Sequence, residues 1–328
     1  MRIKCMIAGL LIGAMATSVN AQSEHQPEKK GKAIINVFGN FHSGFGRDND
    51  NRGFDLERVY LGYEYKLKGG LSIKGVTDIG KSSKVDDYQR IVYIKNAQLS
   101  WKKDKLTLNA GLISTTQFNY QEKFWGHRYV MKSFQDEYKY GSSADLGLSA
   151  SYQWADWIAT DVILVNGEGY KKIQVDDGLN YGVGVTLTPV KGLSVRLYGG
   201  MNEAASSDGQ KDVFNFASFV GYQCKAFRIG AEYNLMQNSQ FTDGADVSGI
   251  SFYSSVNIKK IASVFARYDN QFSKHDWNKE KDESTITLGS EFKIGKYVKI
   301  APNLRMAIPK ADGAKNAYAG YVSCYFGI

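Results

Sequence analysis

The chain has 328 residues, with 41 lysines and arginines against 33 aspartates and glutamates, a formal charge of +8. Past the first segment no apolar run reaches the roughly 18 residues of a membrane helix, which excludes a helical membrane protein. The cations are dispersed through the chain, so the charge does not describe a nucleic-acid-binding face. Only 4 prolines beside 34 glycines and 21 tyrosines suit sheet rather than Pro-rich linkers.

In chain order, the first element is a targeting segment. Arg2 and Lys4 make a basic n-region, residues 6–16 an apolar h-region too short to span a bilayer, and Val19-Asn20-Ala21 a small-residue cleavage site. Residues 1–21 therefore read as a signal peptide, 22–32 as a short polar segment and 33–328 as one folded unit. Without Arg2 and Lys4 the formal charge falls from +8 to +6. Cys5 leaves with the signal. Cys224 and Cys324 are far apart in sequence and lie in apparent strands, so they read as free small hydrophobes rather than a disulfide framework.

From residue 33 onward the chain alternates. Leu106, Leu108, Ala110 and Leu112 share one face while Lys105, Thr107 and Asn109 share the other, and the same holds around Leu146, Leu193 and Phe227. This is the period of two that a strand between apolar and aqueous surroundings requires. Such segments run over 33–45, 54–67, 71–80, 88–101, 105–113, 142–153, 157–166 and 181–189. They continue over 192–201, 214–224, 227–236, 247–258, 261–272, 284–294, 297–308 and 316–328, about sixteen strands in all.

Tight turns at 68–70, 102–104, 154–156, 189–191, 225–226, 259–260 and 295–296 each follow an even-numbered strand, and longer polar loops follow the odd ones. A soluble sandwich has no reason to sort its loops by length, and no second layer is evident to cover each apolar face. The pattern predicts an all-β fold, a transmembrane antiparallel β-barrel in outer-membrane lipid with short periplasmic turns and longer extracellular loops. Trp101, Trp154 and Trp157 flank tight turns, where an interfacial girdle belongs.

The segment Phe54-Asp55-Leu56-Glu57-Arg58-Val59-Tyr60-Leu61-Gly62-Tyr63-Glu64-Tyr65 resembles the second-strand signature of phosphate-selective porin O/P-type outer-membrane proteins. Ile94-Lys95-Asn96-Ala97-Gln98-Leu99-Ser100-Trp101 is similar to the strand after the next hairpin in that family. The end, from Ala319 to Ile328, resembles the terminal strand through which outer-membrane assembly machinery recognises barrels, with Ile328 in place of the usual aromatic. The resemblance implies a sixteen-stranded, often trimeric, water-filled pore for small anionic or general solutes. It also implies a third loop folded into the lumen. The dense arginine ladder of strongly selective members is not evident.

If the apolar face of each strand meets lipid, the other face lines the lumen. Alternation places Arg58, Lys66, Lys74, Lys105, Arg196, Arg228, Arg267, Lys293, Lys299 and Arg305 inside, with Glu64, Asp78, Asp161, Glu232, Asp269 and Glu291. A charged group on the lipid face would cost roughly 2–4 kcal/mol at midplane. An excess of cations attracts anions, which makes Arg58, Lys74, Arg196, Arg228, Arg267, Lys299 and Arg305 the candidate anion contacts. The alternative is that they pair with lumen carboxylates and only solvate the wall. Lys95 shares parity with Tyr93, Ala97 and Leu99, a lipid-facing set, unless a β-bulge or a loop-proximal position re-aims it.

The longest connection, residues 114–141, is the candidate constriction. Phe124, Trp125, Tyr129 and Phe134 suit packing against a barrel wall, leaving Lys123, Arg128 and Lys132 to face the passage, with His127 as a polar packing residue; the alternative is a loop that only caps the outer mouth. No cofactor, metal or catalytic site is expected: His25, His42, His127 and His275 have no ligand spacing, and no G-x-S-x-G element occurs. The functional expectation is a passive channel for small hydrophilic solutes, with a non-conducting adhesin, receptor or structural barrel as the alternative.

Overall fold

Alternation becomes a closed ladder in the computed structural model, which describes residues 30–45, 51–82, 89–205 and 209–328. The expected signal peptide and most of the polar segment lie outside the described residues. Sixteen strands form the barrel. They are β1 (Gly31–Phe45), β2 (Arg52–Lys66), β3 (Leu71–Lys81), β4 (Arg90–Lys103), β5 (Leu106–Ser114), β6 (Ala144–Ala155), β7 (Ile158–Val165) and β8 (Asn180–Leu187). The second half is β9 (Leu193–Asn202), β10 (Val213–Gln223), β11 (Phe227–Gln237), β12 (Val247–Lys259), β13 (Ala262–Ser273), β14 (Glu283–Ile294), β15 (Val298–Pro309) and β16 (Ala317–Gly327). Each strand pairs antiparallel with its sequence neighbours, and β1 closes the ring on β16 from Asn36↔Gly327 to Phe45↔Tyr318. β1 begins two residues before the expected start, so Gly31 and Lys32 belong to the barrel.

The outward faces carry Leu61, Tyr63, Ile73, Leu148, Val162, Val183, Ile229, Phe252 and Leu304, all exposed. That belt matches what bilayer hydrocarbon accepts, and among the described residues no helix is long and apolar enough to cross a membrane. Cys224 and Cys324 are free.

The hydrophobic core is inside the barrel, built from the third long loop and the wall it touches. Between β5 and β6 the chain forms α1 (Asn119–Trp125) and α2 (Phe134–Glu137). Phe124, Trp125, Tyr129, Val130 and Met131 cluster with Phe38 of β1, Phe219 of β10, Tyr253 of β12 and Phe265 of β13. Phe134 and Tyr140 cluster with Val213, Met236 and Val247. Two glycines make room for this packing. A Cβ on Gly221 would stand 2.5 Å from the Phe124 ring, and one on Gly249 would stand 2.0 Å from the Phe134 ring.

Candidate constriction of the barrel

Polar anchors fix the third loop as firmly as its aromatic side. Arg196 donates to the Thr116 carbonyl at 2.7 Å, Arg267 to that of Lys132 at 2.5 Å and Arg305 to that of Val130 at 2.5 Å. Hydrogen bonds from charged groups contribute roughly 1.5–3 kcal/mol each. Gln135 donates to Asn234 at 2.7 Å and Tyr129 to Glu291 at 2.9 Å. Gly126 ends α1 at φ 70°, its N–H closing on the Glu122 carbonyl at 3.0 Å. A Cβ there would meet the Arg228 guanidinium at 2.5 Å. The loop crosses the lumen and is bonded to the wall on the far side.

Many of the expected lumen cations already have partners. Arg58 pairs with Asp78 at 2.6 Å, Arg196 with Asp161 at 2.7 Å and Arg267 with Asp269 at 2.6 Å. Arg196 and Arg267 are only 3% and 2% exposed, so their guanidiniums face protein, not passage. Arg228 reaches His127 Nδ1 at 3.2 Å, and Arg305 lies 3.8 Å over the Tyr321 ring. Lys299 stands 3.7 Å from Glu291. Lys74 points inward on β3, in electrostatic reach of Glu64, Lys95 and Lys123. Lys66 and Lys105 are exposed at the tight-turn rim.

The loop residues divide as their chemistry suggests. Lys123 is exposed on α1. Arg128 bridges Glu122 and Asp136, both at 3.1 Å. His127 is buried, its Nδ1 lying 3.0 Å from the Trp125 carbonyl and its Nε2 3.7 Å from Glu291. Burial pushes the imidazole down to about 4, so it is neutral at pH 7. Burial pushes the Tyr129 hydroxyl up, aided by Glu291, so it remains a donor.

Arg128 and Lys132 stand between two cavities. One, of about 410 Å³, lies toward β1, β14, β15 and β16 and mixes Arg128, Lys132 and Arg305 with Glu57, Glu137 and Glu283. The other, of about 560 Å³, lies toward β2 and β6–β10. Its cations are Arg58, Arg128, Lys132, Lys139, Lys171 and Lys172, against Asp136, Asp145 and Glu168. Two of those three acids are engaged: Asp136 holds Arg128, and Asp145 accepts from the Gly167 and Gly169 amides at 2.8 and 3.2 Å. Of its cations, Arg58 is held by Asp78 and Arg128 by Glu122 and Asp136, so the basic excess rests on Lys132, Lys139, Lys171 and Lys172.

Several of the groups here escape strict alternation. On β4 the ladder to β3 shifts between Val76 and Thr77, leaving Lys95 unpaired in a bulge. Lys95 consequently turns inward, its Nζ 4.4 Å over the Tyr60 ring and 3.2 Å from that hydroxyl. Tyr93 also faces inward, against Tyr170 at 6.3 Å between ring centroids. A similar shift on β2 leaves Glu57 and Arg58 both reaching the interior. Tyr170 and Lys171 come from the fourth long loop, after β7, which alternation does not describe. Tyr170 donates to Asp78, and Lys171 lies 5.2 Å over the Tyr93 ring. Burial, then Arg58, lowers the Lys171 ammonium from its ordinary value.

Among the described residues no group of three or more His, Cys, Asp or Glu is placed to hold a metal ion. The chain matches no protein-family model and no curated protein. Solved structures do match its fold. An anion-selective porin from Comamonas acidovorans aligns with a TM-score of 0.68 at 13% identity, over 91% of this chain and 99% of that one. The outer membrane channel DcaP of Acinetobacter baumannii aligns at 0.66 and 9% identity, over 94% and 100%. OmpF of Salmonella typhi, in complex with daunomycin, aligns at 0.66 and 10% identity, over 91% and 97%. At these identities the likeness is one of fold.

Proposed function

We propose that this chain is an outer-membrane channel through which small hydrophilic solutes diffuse passively, with a preference for anions. The observation that carries the preference is the cavity beside the third loop, where six cations face three acids and, with Arg58 and Arg128 ion-paired, Lys132, Lys139, Lys171 and Lys172 remain outside the ion pairs found among the described residues. Fixed positive charge in a low-dielectric channel raises the local anion concentration and disfavours cations. The fold shared with a porin named as anion-selective supports the reading. The candidate anion contacts shift accordingly, from the paired Arg196 and Arg267 toward Lys132, Lys139, Lys171 and Lys172.

Export by cleavage after Ala21 delivers such a barrel to the periplasm, and the terminal strand presents it to the assembly machinery. The resemblance to phosphate-selective porins supports a homotrimer and nominates inorganic phosphate among small anions. Planar-bilayer reversal potentials in a KCl gradient test the reading. The expected sign is that of chloride over potassium, moved toward potassium by Lys139→Glu, Lys171→Glu and Lys172→Glu together. A cation-selective wild type would sink the preference. Silent bilayers from folded, heat-modifiable protein would sink the channel and favour an adhesin or receptor.

A further inference from the structure

The rim of tight turns carries charge that the interior does not use. Six of its seven turns hold an exposed lysine, against two exposed acids, Asp104 and Asp156. The long-loop rim instead mixes signs, as in Lys274, Asp276, Lys279, Glu280, Lys281 and Asp282. Lys191, Lys225, Lys259 and Lys260 stand on three successive turns, all exposed. None takes part in an ion pair among the described residues. Backbone contacts tie these turns together: Gln223 N–H donates to the Gly192 carbonyl at 2.8 Å, and the Asn257 side chain to that of Lys225 at 2.8 Å.

Directly along the strands from those lysines, the outer face is indented. A groove of about 570 Å³ crosses β9–β14, almost wholly apolar in lining. Its floor is low because Ser254 and Ala266 are paired neighbours across β12 and β13, with Tyr222, Ile229, Phe252 and Leu288 rising around them. Tyr222 and Ile229 lie three and four residues from Lys225. At ~3.3 Å per residue the groove opens about 10–13 Å from Lys225 along β10 and β11. That is within the reach of one lipid molecule.

We propose that this groove and its turn lysines bind an anionic phospholipid of the inner leaflet, with the phosphate on the lysines and an acyl chain in the groove. The proposal rests on the outer-membrane reading but not on conduction or its selectivity. A cell-wall polymer would satisfy the lysines and leave the apolar groove empty. A second copy bringing the same face would set lysine against lysine. A phospholipid fills both features at once, and Lys near a membrane surface adds electrostatic affinity for anionic headgroups.

The test reconstitutes the full mature chain in vesicles of equal phosphatidylcholine and phosphatidylglycerol, extracts it gently and counts retained lipid by native mass spectrometry. Phosphatidylglycerol is expected to be retained at least about tenfold over phosphatidylcholine. Lys191→Gln, Lys225→Gln, Lys259→Gln and Lys260→Gln together should abolish that preference. Ala266→Trp, which fills the groove floor from the lipid side, should reduce retention of both lipids. Equal retention of the two lipids, or a preference that survives the four substitutions, overturns the proposal. So does lysine-dependent binding to purified peptidoglycan without lipid preference, which would assign the rim to the cell wall. Protein that fails to insert into vesicles at all overturns the membrane reading and the lipid site with it, whereas insertion without preference overturns the lipid site alone.

Discussion

His127 shows how one buried side chain couples the loop to pH. Around the ring stand Glu291, Arg228, Tyr129 and Lys299, with Trp125 and Phe265 packed on its faces. Burial lowers its pKa from 6.5 to about 4, so the folded state binds fewer protons than the unfolded state between those values. The sign follows: this contribution is fully present above pH 6.5 and is lost progressively as pH falls toward 4. At about 1.4 kcal/mol per pKa unit, the swing is about 3 kcal/mol. Urea unfolding of the reconstituted protein from pH 7 to 4 should show that acid loss in wild type, and His127→Gln should lack it. An unchanged acid slope in the variant would remove His127 from the account. Other residue-scale features were legible in the sequence only where the strand period holds. Alternation put Asp78, Asp161, Asp269 and their arginine partners on the interior face, and all are there. It could not place Lys95, because a bulge is a register event between two strands and leaves only a parity conflict in one of them.

At the scale of elements, the strands and the third loop differ in what specifies them. A strand between lipid and a polar interior writes its own period, so each expected strand is present within about two residues of its bounds. The loop's aromatics announced packing without naming the wall they would meet. That wall is assembled from residues far away in sequence, including small ones whose role is only to leave space. Gly249 is the clearest case, since its missing side chain is the seat of Phe134. Gly249→Leu should expel Phe134 and loosen α2 while leaving the strand ladder intact. A core aromatic losing its seat costs about 3–5 kcal/mol in comparable burial terms. Limited proteolysis should then cut near residues 130–140 in the variant and not in wild type, with unchanged heat-modifiable mobility. Cleavage equal in both would mean that the arginine anchors at Val130 and Lys132 hold the loop without Phe134. The fourth loop left even less trace: Tyr170 and Lys171 sit among polar residues with no period, and only their contacts with Asp78 and Tyr93 show that they enter the barrel.

For the whole molecule, closure decides whether the barrel exists at all. A sheet in hydrocarbon tolerates no open edge, because each unpaired backbone group there costs several kcal/mol. The seam joins the two ends of the described barrel: β16 pairs with β15 on one side and β1 on the other, and Tyr325 donates to Asn36 at 2.7 Å. Removing residues 317–328 would leave both β1 and β15 as edges, since they are not neighbours and cannot pair without redrawing the whole ring. The truncated chain should therefore yield no folded, heat-modifiable species in vesicles, even with the other fifteen strands intact. Ile328→Phe is the informative control. Ile328 lies just past β16, about half exposed on the outside, with its N–H bonded to the Ile35 carbonyl at 3.0 Å. An aromatic there meets lipid and leaves that backbone bond untouched, so folding in vesicles should be unchanged. If Ile328→Phe raises the yield of folded barrel in cells but not in vesicles, the terminal residue acts through recognition during assembly. Equal yields in both settings would mean that the apolar outer face of Val322, Cys324 and Phe326 already suffices.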